Sequence, residues 1–126
     1  GSINQLNQIS NLVCSKNEVD FFAPGGDLVS ENVSIEEAFI LLADTQLLCK
    51  VSDYYMGVPK GYTINAGNSI ATSYASGCFM LIISKFKSKY NYYPSVKEIL
   101  KLISQYRNSE INLIKITKMV IESALI

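Results

Sequence analysis

The chain contains no histidine. Without imidazole, a Ser-His-Asp triad cannot be completed from these residues, and a zinc site lacks its commonest nitrogen ligand. Cys14, Cys49 and Cys78 lie far apart and form no Cys-x-x-Cys pair. They read as free thiols, with Cys78 packed as a small apolar residue. Three unpaired thiols point toward a reducing, cytoplasmic compartment. Charge is also scarce: charged residues make up 17%, and eleven basic residues cancel eleven acidic ones. No basic face stands out, which argues against a nucleic-acid partner. No signal peptide is visible, and the apolar run over residues 78–84 is far too short to span a bilayer. What remains, 126 residues with 48% hydrophobic side chains, suits one domain with a modest core. Gly1-Ser2 reads as the scar of a removed tag and is set aside.

Residues 3–18 are polar and Asn-rich, with a short strand suggested over 9–13. Val19-Asp20-Phe21-Phe22-Ala23 suits a short buried strand, which Pro24-Gly25-Gly26 must end. Ser34-Ile35-Glu36-Glu37 is a capping box, because hydroxyl and carboxylate can each bond the other's backbone N–H. Ile35, Ala38, Phe39, Leu41, Leu42, Leu47 and Leu48 behind it predict a helix over about 35–48. Residues 54–63, holding Gly57, Pro59 and Gly61, read as a loop. From Ile70 onward the chain is apolar on every side of a helical wheel until Lys85, which predicts a helix central in the fold. A second capping box, Ser95 with Glu98, opens an amphipathic helix carrying Val96, Ile99, Leu100 and Ile103. Residues 111–125 predict a last helix, with Leu113, Ile114, Met119 and Val120 toward the core. Between these helices Tyr90, Tyr92 and Tyr93 read as a loop with half-buried rings, or as a contact patch.

Residues 67–77 read Gly-Asn-Ser-Ile-Ala-Thr-Ser-Tyr-Ala-Ser-Gly. A helix starts with unpaired N–H groups and the positive end of its dipole. Ser69 at that start suits a nucleophile whose reaction builds an oxyanion beside it. Gly67 allows a sharp turn and close approach of a substrate. Ser69 is equally a candidate for a plain N-cap, and Ala71, Ala75 and Gly77 for a packing device. Asp20, Asp27, Asp44 and Asp53 have no histidine to orient, and read as turn, cap or solvated residues.

The segment from Gly67 resembles the nucleophile motif of subtilisin-like serine proteases, Gly-Thr-Ser-x-Ala-x-Pro. The buried Ala23-Pro24-Gly25 strand also stands where that family has one. Val-Asp-Phe-Phe-Ala-Pro-Gly-Gly-Asp, following Ile9-Ser10-Asn11, is similar to the branch that removes leader peptides from lantibiotic precursors. The resemblance implies an α/β fold, the C-terminal part of a subtilisin-like catalytic domain over residues 3–126. It would hold a buried parallel strand, a central apolar helix starting at the nucleophile Ser69, two further helices and a helical insertion. It implies Ser69 as catalytic residue, with Asn68 and Gly67 at the oxyanion and substrate. It implies secretion, and a structural calcium of the kind common in the family. Two positions depart from the pattern: Asn68 stands for Thr and Ser73 for Pro. The family's Asp, His and oxyanion-hole Asn lie upstream of the Ala-Pro-Gly strand, and 22 residues are too few to hold them.

Three readings follow. The first is a serine endopeptidase that hydrolyses peptide substrates, including leader peptides, through an acyl-enzyme on Ser69, its Asp and His coming from a part absent from this chain. The second is an inactive subtilase-like binding or scaffold module. The third is an α-rich interaction domain with Ser69 as a cap. A helix apolar all round needs cover all round, so the chain is expected to associate with a complementary N-terminal chain or as a homo-oligomer.

Overall fold

The apolar run after Ser69 contains no proline and folds as one long helix. The computed structural model describes residues 1–44 and 57–126, and this helix, α2 (Asn68–Tyr90), is its longest described element. It ends where Asn91 turns left-handed (φ 61°) and donates its N–H to Lys87 O. Ala71, Cys78, Ile82 and Phe86 are buried, and their spacing places them along one face. Tyr74, Met80 and Leu81 are exposed. The all-round cover expected of a central helix is therefore absent among the described residues, which supply neighbours for one face only.

The covered face meets the C-terminal helices. In α3 (Val96–Ser104) the Ser95–Glu98 capping box forms as expected. Ile99 and Ile103 are buried, whereas Val96 and Leu100 are exposed. In α4 (Leu113–Val120) the Asn112 side chain accepts from Ile114 N at 3.0 Å and sets the helix start. That start turns Leu113, Ile116, Thr117 and Val120 inward, with Leu125 of the following π-turn (Ile121–Leu125). Ile114 points outward instead of into the core, and Met119 is only half-buried.

The N-terminal part differs more from expectation. The strand lies at β1 (Ser2–Ile3), paired in parallel with β2 (Ala23–Pro24). Residues 9–13 make a single bridge, Ile9 to Ile3. Asn4 Oδ1 accepts from Leu6 N and Gln8 N and reverses the chain, and Val13 N bonds Ser10 O in a turn. Gly1-Ser2, set aside in the sequence, is built into the fold: Ser2 is fully buried. The phenylalanine strand is short, with Phe21 and Phe22 half-buried and only Ala23–Pro24 laddered.

The helix expected over 35–48 is α1 (Ile35–Ala38), a single turn with its capping box in place. It stops because Ala38 O accepts from Asp27 N at 2.7 Å, so a continued helix would lack that carbonyl for Leu42. The chain then runs as β3 (Ile40–Ala43), antiparallel to β4 (Tyr62–Asn65), with Leu41 opposite Ile64. The expected helical insertion is thus a β-hairpin over its described part, and Tyr62 and Thr63 are strand, not loop. Leu47, Leu48, Cys49, Asp53 and residues 54–56 lie outside the described residues.

Candidate functional site at the start of the long helix

The two motifs singled out in the sequence meet at the N-terminus of α2. Gly67 N donates to Gly25 O at 2.7 Å, and Gly25 N donates to Ile3 O. A Cβ on Gly25 would lie 2.7 Å from Ser2 Cβ and 2.8 Å from Gly67 O, so only glycine fits. Gly26 sits at φ 79°, and a Cβ there would lie 2.2 Å from Ala38 O. Gly67 itself is extended (φ 164°) and makes no sharp turn. Its missing side chain serves the hydroxyl beside it, since a Cβ would come within 3.3 Å of Ser69 Oγ.

Asn68 ties the helix start to the N-terminal segment. Its Oδ1 accepts from both Ser2 N and Ser2 Oγ, and its Nδ2 donates to Leu12 O at 3.0 Å. The amide therefore ties α2 to the N-terminal segment, with both ends engaged inside the protein. The second N–H of Nδ2 has no hydrogen bond among the described residues. Ser2 was missed in the sequence because it was set aside with Gly1. The signal for it was weak: a serine before a single isoleucine.

Ser69 is exposed, and its hydroxyl has no hydrogen bond among the described residues. Its carbonyl accepts from Ser73 Oγ at 3.1 Å. Ile70 N and Ala71 N both bond Gly67 O, while the N–H groups of Asn68 and Ser69 have no turn of helix behind them. Ser69 thus stands at the positive end of a 23-residue helix, beside an apolar groove of about 900 Å³ that begins at Ile70, Ser73 and Tyr74.

None of the described aspartates complements Ser69. Asp27 is buried, and its carboxylate accepts from Asn11 N and Leu28 N (both 2.8 Å), Ser10 Oγ (3.0 Å) and Asn4 Nδ2 (3.3 Å). Burial pushes its pKa up, but the bonds from Asn11, Leu28, Ser10 and Asn4 outweigh it and hold it below the ordinary value. It organises the loops that carry Pro24-Gly25-Gly26. Asp20 O accepts from Arg107 Nη2 at 2.6 Å, and Asp44 N bonds Gly61 O at the hairpin. Among the described residues no group of three His, Cys, Asp or Glu is placed to hold a metal, and no helix is long and apolar enough to cross a membrane.

No protein-family model and no curated protein sequence matches the chain. A solved structure does: one described as the crystal structure of a lanthipeptide protease, with a TM-score of 0.69 and 23% identity. The match covers 94% of this chain and 40% of that one. At that identity the likeness is one of fold. The chain has a mixed α/β fold resembling part of a lanthipeptide protease, and it spans about two fifths of that protein's length.

Proposed function

We propose that this chain is the serine-bearing part of a subtilisin-like endopeptidase, with Ser69 as nucleophile. One observation carries the reading: Ser69 is exposed at the head of α2, its hydroxyl unbonded among the described residues, beside the glycine whose missing side chain leaves it room. In the complete site Ser69 Oγ attacks the scissile carbonyl while a histidine held by aspartate, both from outside this chain, takes its proton. Negative charge then develops on the carbonyl oxygen. The N–H groups at the helix start, with the second N–H of the Asn68 amide, are the donors this chain offers it. Loss of the amine and attack by water return the serine. The likeness to a lanthipeptide protease supports leader-bearing precursor peptides as the substrate class, and a complementary chain segment as the partner.

A second reading is an inactive module of the same fold. It is favoured by the Asn68 amide, which stands for the family's Thr and is bound internally.

Intact-mass analysis after exposure to a fluorophosphonate probe decides between them, with Ser69→Ala as control. The chain alone, without an imidazole, should stay unlabelled. Added imidazole, or an N-terminal subtilase portion carrying Asp and His, should give one adduct that is lost in the control. No adduct under either condition leaves the inactive module as the reading.

A further inference from the structure

The bonds around Asn68 close a circuit between the start of α2 and the two strands beside it. Gly67 N donates to Gly25 O, and Gly25 N donates to Ile3 O. Ser2, next to Ile3 on the same strand, reaches back to Asn68. It donates to Asn68 Oδ1 from its backbone N at 3.0 Å and from its Oγ at 2.5 Å. Ser2 is fully buried, so its hydroxyl has been taken out of water to make this contact. At the other end of the amide, Asn68 Nδ2 donates to Leu12 O at 3.0 Å. Leu12 is itself held, because Leu12 N donates to Ser10 Oγ and Ser10 Oγ donates to the buried Asp27. Ser10 N also bonds Ser2 O, so one network grips both ends of the amide.

A side-chain amide has one end that only accepts and one that only donates. Ser2 N can only donate, and Leu12 O can only accept. Turning the amide over would set donor against donor at Ser2 and acceptor against acceptor at Leu12, leaving both backbone groups unsatisfied. The backbone of Ser2 thus selects one orientation of Asn68, and its hydroxyl adds a second donor to the same oxygen. We infer that Ser2 is a positioning residue for acyl transfer at Ser69. Acting through the Asn68 amide, it holds the first turn of α2 and the remaining Nδ2 hydrogen in a single arrangement beside the nucleophile in the chain.

The role rests on Ser69 as the nucleophile, and the bonds that carry it lie wholly among the described residues. Donors already fixed when charge develops cost no reorganisation at the moment of reaction, whereas donors that must first turn into place lose part of what they give. Ser69 follows Asn68 in the same turn of helix, so a first turn that shifts moves the nucleophile and its N–H groups together. Ser2 is not itself catalytic: it is buried and touches Asn68, not the substrate.

NMR and labelling kinetics test it together. In the spectrum of the chain alone, the Asn68 side-chain amide should lie apart from solvated amides, and in Ser2→Ala it should move toward them. Fluorophosphonate labelling of Ser69 is then timed with the N-terminal subtilase portion present. Ser2→Ala should slow it about three- to tenfold, the worth of one hydrogen bond. In an Asn68→Ala background the same change should have no further effect, whereas a serine that only packs the strand would cost the same in both. Ser2→Cys, similar in size and a weak donor, takes the place of Ser2→Ala if circular dichroism shows the alanine variant unfolded. No labelling of the wild-type chain overturns the nucleophile and this role together. Three results overturn the role and leave the nucleophile standing: labelling of Ser2→Ala at the wild-type rate, equal slowing in the Asn68→Ala background, or a wild-type Asn68 amide already at the solvated position.

Discussion

Asp27 shows how one side chain can hold several loops. Its carboxylate gathers donors from Asn4, Ser10, Asn11 and Leu28, so the segments around residues 4–11 and 25–28 depend on one charge. Asp27→Asn sets an amide donor against the Asn4 amide, and should cost about 1–3 kcal/mol in urea unfolding at pH 7. The folded pKa lies below the ordinary 3.8. The contribution is therefore fully present above the unfolded pKa and is lost as pH falls through the folded one. Stability of the wild-type chain should drop below about pH 4, and that drop should be smaller in Asp27→Asn. The glycines divide by the same local reasoning. Gly26→Ala meets both φ 79° and a carbonyl at 2.2 Å, and should destabilise by about 3 kcal/mol or more in a thermal melt. Gly67→Ala is extended and meets only a rotatable hydroxyl at 3.3 Å. It should fold normally, and slow fluorophosphonate labelling of Ser69 wherever labelling occurs.

At the scale of elements, the capped helices follow their local chemistry, and the exception has an identifiable cause. Ser95 and Glu98 satisfy each other's backbone N–H groups, and Glu98 also accepts from Ser95 Oγ and Tyr92 Oη. The Ser95 hydroxyl and N–H, with Tyr92, hold the Glu98 pKa at about 2. Ser95→Ala removes the first of these, so an NMR titration should find the Glu98 pKa raised toward 4.5, with fraying of the first turn of α3. Ser34 and Glu37 form the same box at the head of α1, yet that helix is one turn long. A capping box determines where a helix starts. Its length here is set from elsewhere, by Asp27 N on Ala38 O and by the strand at 62–65 that pairs with residues 40–43.

At the scale of the whole molecule, one side of α2 is core and the other is an open apolar groove. Among the described residues fourteen apolar side chains from Ile3 to Leu125 are buried, while Met80, Leu81, Tyr74 and Ile114 are exposed. Leu81→Glu should leave the unfolding midpoint nearly unchanged, within about 0.5 kcal/mol, because the side chain is more than half exposed and outside the buried core. A midpoint that falls sharply with Leu81→Glu would mean that the folded state depends on cover over this face.

The sequence by itself determined the helix starts, the glycines of Pro24-Gly25-Gly26 and the place of Ser69 at the head of an apolar helix. Each of these rests on interactions within a few residues: a cap, a turn, an N–H without an acceptor. It also excluded an imidazole from the chain, whatever the fold. Only the tertiary structure decided that Phe39 begins an extended segment, that Ile114 faces out while Ile116 faces in, that Asn68 bonds Ser2 and Leu12, and that Ser2 is core. Those outcomes depend on partners distant in sequence, such as Ser2 on Asn68, Asp27 on Ala38 and Tyr62 on Ala43. Apolar periodicity is also the same for a covered face and an open one. Which side of α2 is buried among the described residues was decided by the C-terminal helices that pack against it.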